Sequence, residues 1–194
     1  MDQTLRIEPP AGHSLRDIRP LTMTPTTHLG GLIVLTSAFR LLLVGGLSMP
    51  LSERMDWRDA RPIGALGLGR GERVETVCAV DEFHPPRQVL IVTRQGWCRA
   101  LPWSVVESLL ASGLPISPGD KNDAPVWLGV CDGGDALLVT RLGRWVRFPI
   151  GMLESSGGQA VALEQDDDIA CCAVLPEGVA EQAVQSAHRE LEKL

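Results

Sequence analysis

Three short aliphatic runs, each closed by a threonine, constrain this chain more than any other feature of its sequence. They are Leu32-Ile33-Val34-Leu35-Thr36, Val89-Leu90-Ile91-Val92-Thr93 and Ala136-Leu137-Leu138-Val139-Thr140, with threonines 57 and 47 residues apart. In the second and third copies the next residues are Arg94-Gln95-Gly96 and Arg141-Leu142-Gly143. Each is a polar turn with glycine where a tight hairpin needs positive φ. The return strands, 97–101 and 144–148, both run into a proline nine residues after the threonine, Pro102 and Pro149. The first copy, Thr36-Ser37-Ala38-Phe39, lacks the glycine. A period of about 50 residues with several strands per unit is the sequence form of propeller-like blades. Aliphatic runs without alternation suit sheets covered on both faces.

The rest of the chain supports an all-β reading. Glycine (20) and proline (14) in 194 residues put a turn former at about every sixth position, too often for long helices. Further strands are expected at 63–68, 74–80, 126–130, 161–163 and 169–174. Two helices interrupt the pattern. Ser104-Val105-Val106-Glu107 reads as a capping box, Leu109 and Leu110 follow, and Gly113 is the stop, which predicts a short connector helix. Residues 177–194 place Val179, Ala183, Val184, Ala187, Leu191 and Leu194 near one helical face, which predicts a terminal helix packed on the sheet edge. The expected layout is an irregular leader over 1–28, a repeat domain of about three blades over 29–175, and a C-terminal helix over 176–194.

Several function classes are disfavoured. Residues 29–49 are long enough to span a bilayer, but Arg40 near their centre would cost on the order of 3 kcal/mol, and two glycine pairs punctuate the stretch as turns would. The expectation is a cytoplasmic protein with no membrane partner. The five cysteines, Cys78, Cys98, Cys131, Cys171 and Cys172, contain no CxxC pair and read as reduced small hydrophobes. Cys171 and Cys172 fall on opposite sides of a strand. His13, His28, His84 and His188 stand apart from one another, and the chain has no tyrosine, hence no tyrosine nucleophile. Asp166-Asp167-Asp168 reads as a solvated turn rather than a metal loop. The glycines between 64 and 69 lack the Lys-Ser/Thr of a phosphate cradle and fit a strand and its turn. No catalytic constellation stands out, so the chain is expected to be non-enzymatic, with no cofactor and no metal.

With the hairpins in register, the chain resembles the C-terminal domain of gyrase A, one of the two proteins of DNA gyrase, and its topoisomerase IV counterpart. The resemblance rests on the threonine-glycine hairpins, the basic residues of the return strands, the step Gly67-Leu68-Gly69-Arg70-Gly71-Glu72-Arg73-Val74 and the acidic-phenylalanine turn Asp81-Glu82-Phe83. It covers roughly residues 29–175. It implies a β-pinwheel, a circular stack of four-stranded blades that bends duplex DNA against a basic outer rim, and a partner that is a topoisomerase subunit. Full family domains have about six blades, against three here. The family's glutamine-arginine-arginine-glycine-rich box is replaced by Ser52-Glu53-Arg54-Met55-Asp56-Trp57-Arg58, and its tyrosine-bearing cleavage domain is missing.

Charge tests the DNA reading. The formal net charge is −6, yet residues 29–150 carry 13 Lys and Arg against 12 Asp and Glu, whereas 151–194 carry 2 against 9. The arginine fork suits phosphates, and Arg94, Arg99, Arg141, Arg144 and Arg147 recur at the turns and return strands as candidate DNA contacts. Two functions follow: a non-catalytic module holding duplex DNA through backbone phosphates, or a degenerate pinwheel serving as an interaction or assembly scaffold. The first is the leading reading; the acidic end and the missing box support the second. A homodimer is compatible with either.

Overall fold

The computed structural model describes residues 30–45, 66–81, 86–120, 122–153, 156–164 and 166–175. The leader 1–28, the segment replacing the family's box, all four histidines and the expected C-terminal helix lie outside the described residues. Ten strands and one α-helix are described: β1 Gly31–Thr36, β2 Leu41–Gly45, β3 Val74–Val80, β4 Gln88–Thr93, β5 Trp97–Pro102, α1 Trp103–Ser112, β6 Pro125–Cys131, β7 Asp135–Thr140, β8 Trp145–Pro149, β9 Gly158–Gln159 and β10 Ile169–Leu175. They form three antiparallel sheets in the orders β2-β1-β3, β6-β4-β5-β9 and β10-β7-β8. The centre of each blade is a threonine-closed strand. Strands β3 and β6, which precede the next hairpin in sequence, pair with the previous one.

The three threonines occupy equivalent places. Each faces a β-bulge in the third strand of its blade, where the register shifts between Leu35 and Thr36, between Val92 and Thr93, and between Ile169 and Cys171 opposite Thr140. Three residues on, the amides of Phe39, Gly96 and Gly143 donate to the Thr36, Thr93 and Thr140 carbonyls at 2.9, 3.1 and 3.1 Å. The lost glycine of the first hairpin is thereby explained. Phe39 takes φ 58° where Gly96 and Gly143 take 84° and 79°. An L-residue there costs about 1–2 kcal/mol, and Phe39 offsets the cost by burying its ring to 4% exposure between the first two blades.

Blade stacking explains the uninterrupted apolar runs. In β4, Val89 and Ile91 face a core shared with Ile33, Leu35, Phe39 and Leu41 of the first blade. Leu90 and Val92 face a second core shared with Ala136, Leu138, Ile169 and Cys172 of the third. All four β4 side chains are fully buried, each contributing about 1.5–3 kcal/mol. Strand β7 is covered on one side and alternates buried and half-buried instead.

Four expectations need correction. Of the strand expected over 63–68, residues 63–65 lie outside the described residues and 66–68 form none, because Gly67 is left-handed and the Gly69 amide turns to the Glu72 carboxylate. Residues 161–163 are loop, and the fourth strand of the middle blade is β9, two residues long. Helix α1 and its Gly113 stop are as predicted, but Ser104 lies inside the helix, and the N-cap is Pro102 with no side-chain bond. Glu107 accepts from Trp103 Nε1 at 3.0 Å. The helix is more than a connector: Val106 is fully buried, and Trp103, Leu109 and Leu110 pack on the first core. Finally, Cys171 is exposed, whereas the other four free cysteines are buried.

The two glycine turns differ in what surrounds them. A Cβ on Gly96 would meet Val161 Cγ1 at 2.7 Å and the Val161 carbonyl oxygen at 3.0 Å, while one on Gly143 would meet nothing within 4 Å. Gly143→Ala is expected to cost about 1–2 kcal/mol of stability, from backbone strain alone. Gly96→Ala adds a clash with backbone and costs more. Urea unfolding midpoints of the two variants check the order, and equal costs would remove Val161 from the account.

Candidate nucleic-acid interface

The hairpin ends share a clasp built on the threonine hydroxyl. The amides of Arg40, Trp97 and Arg144, four residues past each threonine, donate to the Thr36, Thr93 and Thr140 hydroxyl oxygens at 3.2, 3.1 and 3.3 Å. One residue past each threonine, the amides of Ser37, Arg94 and Arg141 donate to the carbonyls of Arg73, Ala124 and Asp168 at 2.8, 2.8 and 2.9 Å. An acid stands just before each of those carbonyls, two residues ahead of the third strand: Glu72, Asp123 and Asp167.

These acids serve the backbone. Asp123 Oδ1 accepts from the Gln95 and Ala124 amides at 3.1 and 2.8 Å, and Asp167 Oδ1 accepts from Leu142 and Asp168 at 3.2 and 2.9 Å. Burial would raise the Asp167 carboxyl, but the Thr140 hydroxyl, those two amides and the Arg144 charge hold it below its ordinary value. The longer Glu72 also accepts from Arg40 at 2.9 and 2.6 Å, a bidentate fork with the carboxylate 6% exposed. The Arg40 bond lowers the Glu72 carboxyl to about 2, against its burial, with Thr36 and the Gly69 amide adding to the effect. Sequence reading missed this use of the acids, although they hold one position in all three repeats. It also missed Arg40, the counterpart of Arg144 four residues past its threonine.

Of the five candidate arginines, three gather at one edge. Asp168 lies between Arg94 of the middle blade, at 3.8 Å, and Arg141 of the third, at 2.6 Å. Backbone ties the same two blades there, since the Ile169 amide donates to the Arg94 carbonyl at 2.8 Å. Arg144 forks onto Glu164 with both contacts at 2.5 Å, which lowers the Glu164 carboxyl. The other two stand elsewhere. Arg99 lies on β5 opposite Ile91, and Arg147 lies on β8 opposite Leu137, where its Nε donates to Asp135 Oδ2 at 2.6 Å. The middle blade has Trp97 where its neighbours have Arg40 and Arg144, and the ring is 7% exposed, packed against Gly119 and Gly157. The acidic triplet is therefore a turn, with Asp166 at φ 70°, whose second and third carboxylates are committed to partners. Among the described residues no group of three or more His, Cys, Asp or Glu is arranged to hold a metal, and no helix is long and apolar enough to cross a membrane.

Solved structures place this blade geometry. The chain superposes on the DNA gyrase A C-terminal domain with a TM-score of 0.62 at 12% identity, covering 78% of this chain and 50% of that one. It superposes on the C-terminal domain of DNA topoisomerase IV with a TM-score of 0.61 at 19% identity, covering 77% and 48%. The fold is a partial gyrase-type β-pinwheel. The E. coli ParC C-terminal domain matches with a TM-score of 0.54 at 19% identity, over 75% of this chain and 62% of that one. In sequence, the pinwheel is 30% identical over 115 residues to the DNA gyrase A protein of Dehalogenimonas lykanthroporepellens, covering 56% of this chain and 14% of that one. No family model matches. The chain thus spans about half of the first two solved domains and a small part of the full-length gyrase A relative.

The Glu72 clasp has a defined acid limit. A carboxyl whose folded value lies below its ordinary 4.5 adds stability that is complete above that value and is lost as pH falls through about 2. The stability gap between the native chain and Glu72→Gln is therefore expected to stay constant above about pH 5 and to shrink below pH 4.5. Urea titrations from neutral to acid pH check this; a gap independent of pH would mean that Arg40 does not depress Glu72.

Proposed function

We propose that the chain is a non-catalytic module that holds duplex DNA through backbone phosphates, with Arg94, Arg141 and Arg144 as its contacts, and that it works beside a topoisomerase subunit. The observation that carries this reading is the gathering of three arginines from two adjacent blades around Asp168 and Glu164 at one edge of the pinwheel. Their guanidinium groups already engage oxyanions, and phosphates offer the same acceptors. The exchange costs least at Arg144, whose ion pair with Glu164 is exposed on both sides, a kind of pair that contributes about 0–1 kcal/mol. Turns and short strands present these arginines, so recognition is by backbone rather than by base edges in a groove. Arg99 and Arg147, apart from this edge, make a lesser contribution or none.

A second reading is a scaffold without DNA. It is favoured by the ion pairs themselves, since Arg94, Arg141, Arg144 and Arg147 all have carboxylate partners.

Fluorescence anisotropy of a labelled duplex at two salt concentrations separates the two. Replacing Arg94, Arg141 and Arg144 by alanine is expected to weaken binding for all sequences alike and to flatten the salt dependence by roughly one ion per lost contact. Asp168→Asn, which removes the internal competitor, is expected to tighten binding about two- to fivefold or more. No binding at low salt by a chain folded by circular dichroism would select the scaffold.

A further inference from the structure

The stacking rule of this fold is broken at one place. The middle blade is covered on both faces, but the outer face of the third blade is open. Register puts Leu137, Val139, Trp145, Cys171 and Ala173 on that face, as Val139 pairs with Trp145 and Cys171, and Leu137 with Arg147 and Ala173. Trp145 is 71% exposed, and Cys171 and Ala173 are exposed. The inward residues of the same strands, Ala136, Leu138 and Cys172, are buried. An apolar sheet face with an exposed tryptophan marks a contact surface.

We infer that residues 177–194 of the same chain cover this face as an amphipathic helix. The chain leaves the third blade from β10, an outer strand of that sheet, so the segment begins beside the surface it would cover. Pro176 and Gly178, turn formers by residue type, follow β10 in the sequence. The dimensions agree: eighteen helical residues are about 27 Å long and about 10–12 Å across, while three strands about 4.8 Å apart and about six residues long make a face about 10 by 20 Å. The stripe Val179, Ala183, Val184, Ala187, Leu191 and Leu194 supplies the apolar side. Register also puts Asp135 and Arg147 on this face, where they pair with each other.

Cys171 is a built-in reporter of coverage. The other four cysteines are buried, which pushes Cys78 and Cys98 up to about 12, Cys131 up to about 11 and Cys172 up as well. A thiolate is the reactive form, so these four react slowly near neutral pH. The experiment follows alkylation of Cys171 by iodoacetamide, read by peptide mass spectrometry, in the full chain and in full-length Val184→Glu/Leu191→Glu. Slow modification of the buried four certifies that each protein is folded. The expected result is modification of Cys171 at least ~10-fold slower in the native chain than in the variant, independent of protein concentration. Equal rates would overturn the inference. So would protection that grows with protein concentration and survives in the variant, which would assign the face to a second copy.

Discussion

The threonine clasp at the end of each hairpin is the interaction on which the rest of the structure depends. In each copy the threonine hydroxyl accepts from the amide four residues on. Thr93 also donates to the Trp97 carbonyl at 3.2 Å, while Thr36 and Thr140 help to lower the Glu72 and Asp167 carboxyls beside them. The clasp fixes where the central strand stops and forces the bulge opposite it. It thereby sets which of the following residues turn outward. Arg94 and Arg141, immediately after their threonines, lie together at one edge because the two clasps are stacked in register. A slip of one residue would turn each strand's buried set toward the wrong face.

Much of this was legible in the letters. Period, threonine, glycine and proline located the hairpins, and Gly113 located the helix stop, because each signal is local and has a backbone cause. The parts that were not legible depend on distant partners. Asp123 meets Gln95 across 28 residues and Arg40 meets Glu72 across 32, and no local pattern announces such pairs. Gly158 and Gln159 become a strand only because Trp97 and Cys98 offer them an edge. Alternation put Cys171 and Cys172 on opposite faces, but the pattern of Ile169–Leu175 gave no sign of which face would be open, since stacking decides which face is covered.

The candidate interface was half legible. All five arginines could be named from the repeat, but not their grouping. Arg99 and Arg147 belong to the return strands and follow the pleat of the sheet, whereas Arg94 and Arg141 belong to turns and follow the clasp. The acids were read as a solvated turn because three consecutive carboxylates have no partner in the sequence itself. In the fold Asp168 finds arginines from two blades, so the acidic stretch that argued against nucleic acid is the group that brings the candidate contacts together.

The burial of β4 on both faces has a mechanical corollary. Among the described residues the molecule is a stack of three plates whose inner one is clamped by both neighbours, so the third plate can loosen by itself while the inner one cannot move without unseating both. Stability in such stacks is a sum of plate and contact terms. Opening is therefore graded, with the amides of β4 the last to reach solvent and the third plate free to respond to what touches it without dissolving the whole.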